Sequence, residues 1–208
     1  HNHQAPADMQ AEQAKICFVG INAFTDSEQE ARNMLSPFAE SELASKSVFK
    51  VENNPTTFQK LYNPENVDTG VGRYAVDNDW VSDISGALHT LADHFKSSPS
   101  TRSHLLASLV MNSALQKDAS FSKIAEHYIA NYLVWNDEEK DEENHAWLGK
   151  ANELLKPFSK GHYVNEVAGD RYPERFQESF SKPSWERLNE LRKKYDPDSV
   201  FHNYLGHS

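Results

Sequence analysis

Histidine, cysteine and glycine are the residue types to test first for chemistry. The chain has ten histidines, yet none falls in an H-x-x-x-H or H-E-x-x-H spacing, which would put two imidazoles on one helix face. His1-Asn2-His3 leaves one metal option, because a free N-terminal amine beside imidazoles suits copper. A frayed end over residues 1–13 is the competing expectation. The single cysteine, Cys17, excludes an internal disulfide and a cysteine-only zinc site. No G-x-G-x-x-G or G-x-x-x-x-G-K-[ST] pattern occurs, and glycine is scarce at 8 of 208 residues, so the common phosphate cradles are missing.

Charge narrows the partners. The net charge is −10 and the pI is near 5.4. Nucleic acid needs a basic face, and so does an anionic membrane surface, so neither is expected. Much of the excess lies in Asp137–Glu143 (DEEKDEE). A calcium loop would need alternating oxygen ligands and a turn glycine, which this run lacks. It reads as a solvated loop or the first turn of a helix, where acids favour the dipole. No apolar run nears the roughly 18 residues of a membrane span. A lone cysteine fits the cytoplasm, with secretion after loss of a leader as the alternative.

The elements that must position any site follow from periodicity. Residues 15–24 (KICFVGINAF) form a short apolar run and read as a strand. Thr25…Glu28 and Ser27…Glu30 have capping-box spacing. The helix they open should turn Ala31, Met34 and Leu35 inward and stop before Pro37. Residues 36–78 are broken by Pro37, Pro55, Pro64, Gly70 and Gly72 and read as loop with short extended pieces such as Val48–Val51. Asn78 or Asp79 would cap a helix whose stripe is Trp80, Ile84, Ala87, Leu88, Leu91 and Phe95. Residues 104–116 fit a strand or a short helix. Residues 126–135 (EHYIANYLVW) read as a strand, with Tyr128, Ala130, Tyr132 and Val134 on one side and Ile129, Asn131, Leu133 and Trp135 on the other. A helix at about 141–155 carries Ala146, Trp147, Ala151, Leu154 and Leu155. A strand at 161–167 and a helix from Pro183 to Tyr195, stopped by Asp196-Pro197, complete the chain. The expected fold class is α+β, a mixed or antiparallel sheet with helices packed against it.

The last third resembles a known family. Trp135, Trp147, Leu155-Lys156-Pro157, Gly161-His162-Tyr163-Val164-Asn165-Glu166, Trp185-Glu186-Arg187-Leu188 and Leu191-Arg192-Lys193-Lys194-Tyr195-Asp196-Pro197-Asp198, then Val200-Phe201, run in the order of the berberine-bridge-enzyme-like FAD-linked oxidases. These belong to the vanillyl-alcohol oxidase and p-cresol methylhydroxylase superfamily. The resemblance implies a cap domain of ferredoxin-like type over residues 14–160. It also implies a C-terminal berberine-like strand–helix segment over 161–208 that completes an FAD domain not present here. Residues 1–13 would be a linker end. The family's T-A-F-x-x-R-like stretch reads Ala119-Ser120-Phe121-Ser122-Lys123-Ile124, without the arginine.

The resemblance also implies a function. Such enzymes oxidise small organic substrates by passing a hydride to the flavin, and dioxygen can take the electrons. Tyr163 and Asn165 match the family's Y-x-N strand beside the flavin, giving Tyr163 a catalytic role and Asn165 a hydrogen bond in the cofactor pocket. As neighbours two apart in a strand they would share a face, with His162 and Glu166 on the other. Asn112, Gln116, Tyr128 and Asn131 are pocket candidates, and His127 is a weaker one. The chain is thus expected to be the substrate-binding and C-terminal part of an FAD-dependent oxidoreductase. The alternatives are a non-catalytic binding domain derived from such a cap, or a copper-binding protein using His1 and His3.

Overall fold

The computed structural model describes residues 17–62, 71–109 and 125–201. The chain divides into two compact units, His1–Val71 and Gly72–Ser208. Residues 1–13, the stretch 119–124 and the last residues after Phe201 lie outside the described part.

In the first unit the expected strand at 15–24 is not formed over its described residues, 17–24. Phe18 and Phe24 are exposed there. An apolar run becomes a strand only beside a partner that takes its backbone hydrogen bonds, and no strand is present among the described residues of this unit. Helix α1 spans Glu28–Ala39, capped by Ser27, whose side chain accepts from the Glu30 amide. It does not stop before Pro37. Proline cannot bond back to the Asn33 carbonyl, and the Ser36 hydroxyl donates to that oxygen at 3.1 Å instead. Nor does α1 have a buried stripe, since none of its residues is buried and Met34 is 58% exposed. Two short helices follow, α2 (Glu42–Ser45) and α3 (Phe58–Leu61), capped by Ser41 and Thr57.

The second unit holds the sheet. Strand β1 is Arg73–Val81, helix α4 Ile84–Lys96, strand β2 His104–Leu109 and strand β3 His127–Trp135. Helix α5 is Asp141–Leu155, strand β4 Ser159–Gly161, helix α6 Glu174–Glu178 and helix α7 Lys182–Tyr195. Every pairing is antiparallel, in the order β2-β3-β1-β4. Chain order βαββαβ with this strand order is the ferredoxin-like arrangement, so the α+β expectation holds.

The helix expected from Trp80 starts only at Ile84, where Asp83 accepts from the Gly86 amide at 2.9 Å. Residues 73–81 are instead the central strand β1. Its buried Asp77, Asn78 and Asp79 imitate a helix start in sequence, but tertiary partners take up their polar groups. The strand at 127–135 is as expected, with the predicted alternation of faces. The core joins Val81, Ala87, Leu91, Ile129, Leu133, Trp135, Trp147, Leu148, Ala151 and Leu155 on the side covered by α4 and α5. In α5, Ala146 is exposed, and Leu148 with Asn144 and Asn152 lies inward beside Trp147.

The acidic run forms a 3-10 turn, Glu138–Lys140, and the first turn of α5. Asp141 takes both nitrogens of an Arg73 fork and the Trp135 indole N–H, pinning α5 to the two central strands. The Arg73 hydrogen bond leads in holding the Asp141 carboxyl below its usual range. A carboxyl lowered on folding stabilises above its unfolded value of about 3.9, and that contribution is lost as pH falls through the folded value. Asp141→Asn should therefore unfold at lower denaturant than wild type at neutral pH, with the gap closing in acid.

The expected strand at 161–167 is cut short. Gly161 has φ 143°, a backbone that L side chains rarely adopt, and the chain leaves the sheet edge there. Residues Val164–Glu166 are a 3-10 turn. The final helix begins at Lys182, and Asp196 stops it as read, accepting from the Val200 and Phe201 amides.

Candidate functional site

The two faces of the sheet carry different side chains. Helices α4 and α5 bury one. The other gathers Trp80, Tyr128 and Ala130, with Tyr132 and Tyr163 packed beside them. Register explains the grouping, because Trp80 lies opposite Tyr128 and Asn78 opposite Ala130, so their side chains emerge together. The Trp80 and Tyr128 rings are 4.9 Å apart, and Tyr163 meets Tyr128 edge-on at 6.4 Å. On β2, His104 stacks on Tyr132 at 4.9 Å. Five rings thus line one side.

The 3-10 turn adds polar groups to this aromatic wall. Tyr128 donates its hydroxyl to Glu166. Burial first, and then that hydrogen bond, push the Tyr128 phenol well above its ordinary value. Tyr132 is raised in the same way, by burial and then by the Glu166 carboxylate. Both phenols therefore stay protonated, and Tyr128 donates to the carboxylate. Asn165 donates from Nδ2 to the Tyr163 hydroxyl at 3.0 Å.

The turn is fastened from below. Asn78 donates from Nδ2 to the Tyr163 carbonyl at 2.9 Å, and its Oδ1 accepts from the Tyr163 amide at 2.6 Å. Residues three apart on a 3-10 turn stand on one side, which brings Glu166 back to the face of Tyr163. This corrects the expectation that Glu166 faces away. Tyr163 and Asn165 do meet, through the turn and not through strand alternation. His162 does point the other way, into the helix-covered side, where it is 1% exposed.

Of the pocket candidates, Tyr128 is in this wall. Asn131 is buried on the opposite face, at 1% exposure, with both its amide atoms lacking a partner. His127 ends β3 at its pairing with Val81. Asn112 and Gln116 lie outside the described residues, as do His1 and His3. The residues that sequence reasoning missed here are Trp80, Tyr132 and Glu166. The alternation of Tyr74, Val76, Asn78 and Trp80 against Ala75, Asp77, Asp79 and Val81 was the available signal for the first.

Comparison with known proteins agrees with this picture. Residues 162–206 match the family model described as berberine and berberine like. An uncharacterized FAD-linked oxidoreductase of Bacillus subtilis, YvdP, is 31% identical over 67 residues, which is 32% of this chain and 14% of that protein. Berberine-bridge-enzyme-like 1 of Physcomitrella patens superposes with a TM-score of 0.62 at 14% identity, covering 85% of this chain and 43% of its own. Berberine bridge enzyme from Eschscholzia californica gives 0.54 at 19% identity, covering 67% and 34%. The chain therefore spans less than half the length of each of these relatives. No helix among the described residues is long and apolar enough to cross a membrane. Residues 162–206 thus resemble the berberine-like segment, and the fold is shared with solved berberine-bridge-enzyme-like structures.

Proposed function

We propose that this chain is the substrate-binding and C-terminal portion of an FAD-dependent oxidoreductase acting on a small organic molecule. The observation that carries this is the sheet face where Trp80, Tyr128, Tyr132 and Tyr163 pack together and Tyr128 donates to the Glu166 carboxylate. It adjoins the segment that matches the berberine-like family. Residues 14–160 form the cap, and residues 161–208 complete the domain that holds the cofactor. A solved berberine bridge enzyme variant contains (S)-reticuline, which supports a small-molecule substrate for this chain too.

The donor set fits one part of FAD and not the other. A planar aromatic wall with an amide and a carboxylate at its rim suits the flat ring system. The pyrophosphate needs backbone N–H groups in a glycine-rich turn or a basic surface, and a chain with no such motif and a net charge of −10 offers neither. Tyr163 and Asn165 would border the ring. Bound flavin would supply the two-electron acceptor for a hydride lost by the substrate, with dioxygen as the final acceptor. The chain's own part is to stack the substrate on Trp80 and Tyr128, exclude water, and offer Tyr163 and the Glu166 carboxylate to a substrate O–H or N–H. The Tyr128 donor leaves that carboxylate with lone pairs for a further donor.

The test uses the chain with riboflavin and with FAD, followed by NMR and gel filtration. Riboflavin should shift resonances of Trp80, Tyr128 and Tyr163. FAD should bind no tighter than riboflavin, since the chain adds nothing for the pyrophosphate. Stoichiometric FAD retained through gel filtration would overturn the second half of the proposal. Shifts confined to the α4 and α5 side would overturn the first.

A further inference from the structure

Behind Tyr163, on the helix-covered side of β1, four ionisable side chains are buried together: Asp77 (0%), Asp79 (1%), His162 (1%) and Arg175 (9%). Arg175 donates from Nε to Asp77 at 3.0 Å and from Nη2 to Asp79 at 3.2 Å and to the Asn78 carbonyl at 2.8 Å. Asp77 accepts three hydrogen bonds, from the Asn78 amide, Arg175 and the Asn152 amide group. That is the pattern of an ionised carboxylate, which can only accept. Two buried carboxylates against one guanidinium leave one negative charge uncompensated, a costly state away from water.

His162 stands where that charge can be balanced. Its Nδ1 is 2.8 Å from the Asn78 carbonyl oxygen and 3.3 Å from Asp79, and its Nε2 is 3.1 Å from Glu178. A neutral imidazole has one N–H: with that proton on Nε2 toward Glu178, Nδ1 could accept from Arg175 Nη2 but would also turn its lone pair on the Asn78 and Asp79 oxygens. The imidazolium satisfies both sides. Arg175 Nη2, 3.1 Å from Nδ1, is the opposing group. The charged groups facing the ring are therefore Asp79 from β1, and Arg175 and Glu178 from α6, with Asp77 behind Arg175.

We infer that His162 is a proton-operated latch: as the imidazolium it clamps β1 to α6 and holds the Tyr163–Glu166 turn in place, and losing the proton releases that turn. The linkage runs through Asn78. Its carbonyl is gripped by His162 and Arg175, while its side chain grips Tyr163 at both amide and carbonyl. Burial alone would lower the imidazole pKa; the hydrogen bond and charge of Asp79 and the Asn78 carbonyl more than offset burial and Arg175, for a net rise. A histidine raised on folding stabilises fully below its unfolded value of about 6.5 and loses that stabilisation as pH rises through the folded value. The latch thus opens on the alkaline side. It regulates the proposed site, and only that consequence rests on the proposed function.

Long-range 1H–15N spectra of the chain, recorded without flavin or substrate, test it apart from that function. His162 should titrate above about 6.5, and the backbone amides of Tyr163, Asn165 and Glu166 should shift with the same midpoint. Glu178→Gln, at a partly exposed position, should lower the shared midpoint by roughly half a unit. A His162 midpoint below the ordinary histidine value would overturn the inference. So would turn amides that ignore the titration, or a midpoint unmoved in Glu178→Gln. The flavin-ring experiment can fail while this one succeeds, and the reverse.

Discussion

Arg175→Met should unfold the second unit at much lower denaturant than wild type, with a loss of about 3–5 kcal/mol, the cost of leaving buried charge without its partner. Arg175 is the group through which the berberine-like segment grips the central strand, binding Asp77, the Asn78 carbonyl and Asp79 at once. Lysine cannot reproduce that fork, so Arg175→Lys should recover little. Two further measurements separate this from a simple packing defect. Adding Asp77→Asn should return part of the loss, because it removes one of the stranded charges. The loss should also shrink in acid. Burial already holds the Asp77 carboxyl above its ordinary range, opposed chiefly by Arg175, and without Arg175 it rises further. An acid raised on folding stabilises below its unfolded value and penalises the fold as pH climbs through its folded value, so low pH relieves the variant. A loss under about 1 kcal/mol, the scale of an exposed ion pair, would show that Arg175 does not carry this contact.

What could be read from sequence followed from period and length. Strand β3 and helix α5 are long and strongly patterned, and both appear where expected. The tail motifs from Gly161 to Asp198 pointed to the family, whose model matches residues 162–206. Strand β1 was hidden by its own polar residues. Asp77, Asn78 and Asp79 look like a turn or a cap, and nothing local shows that Arg175, His162 and Asn152, remote in sequence, will satisfy them in the interior. The stretch 161–167 erred for the opposite reason: a β-rich local pattern gave way to a 3-10 turn because Gly161 leaves the sheet and Asn78 ties down Tyr163. Glu166 was placed on the wrong face as a direct result, since strand and 3-10 spacing differ by one residue. The candidate site is thus legible residue by residue, but its assembly depends on contacts that sequence spacing does not carry.

The second large effect is expected on the other face of the sheet, at Trp147. Its ring is 7% exposed and stacks on His94 at 4.4 Å, with Phe95 edge-on at 6.1 Å. Its indole N–H donates to the His94 carbonyl at 3.2 Å, and His94 Nε2 returns a contact to the Trp147 carbonyl at 2.9 Å. Trp147 therefore joins α4 to α5 through packing and two hydrogen bonds. Trp147→Ala should cost about 3–5 kcal/mol, the range for emptying a buried aromatic site, read as a lower denaturation midpoint with an unchanged slope. Tyr128→Phe should behave differently. It keeps the ring against Trp80 and removes only the hydroxyl that Glu166 accepts, so the loss should be about 1–2 kcal/mol. In the same variant, riboflavin-induced shifts at Tyr163 should change more than those on the α4 and α5 side. If the aromatic wall were core and not a binding face, the riboflavin response would be indifferent to Tyr128→Phe. The contrast follows from what each substitution removes: Trp147→Ala empties the space between α4 and α5, whereas Tyr128→Phe keeps its ring packed on Trp80 and loses one hydrogen bond at the proposed site.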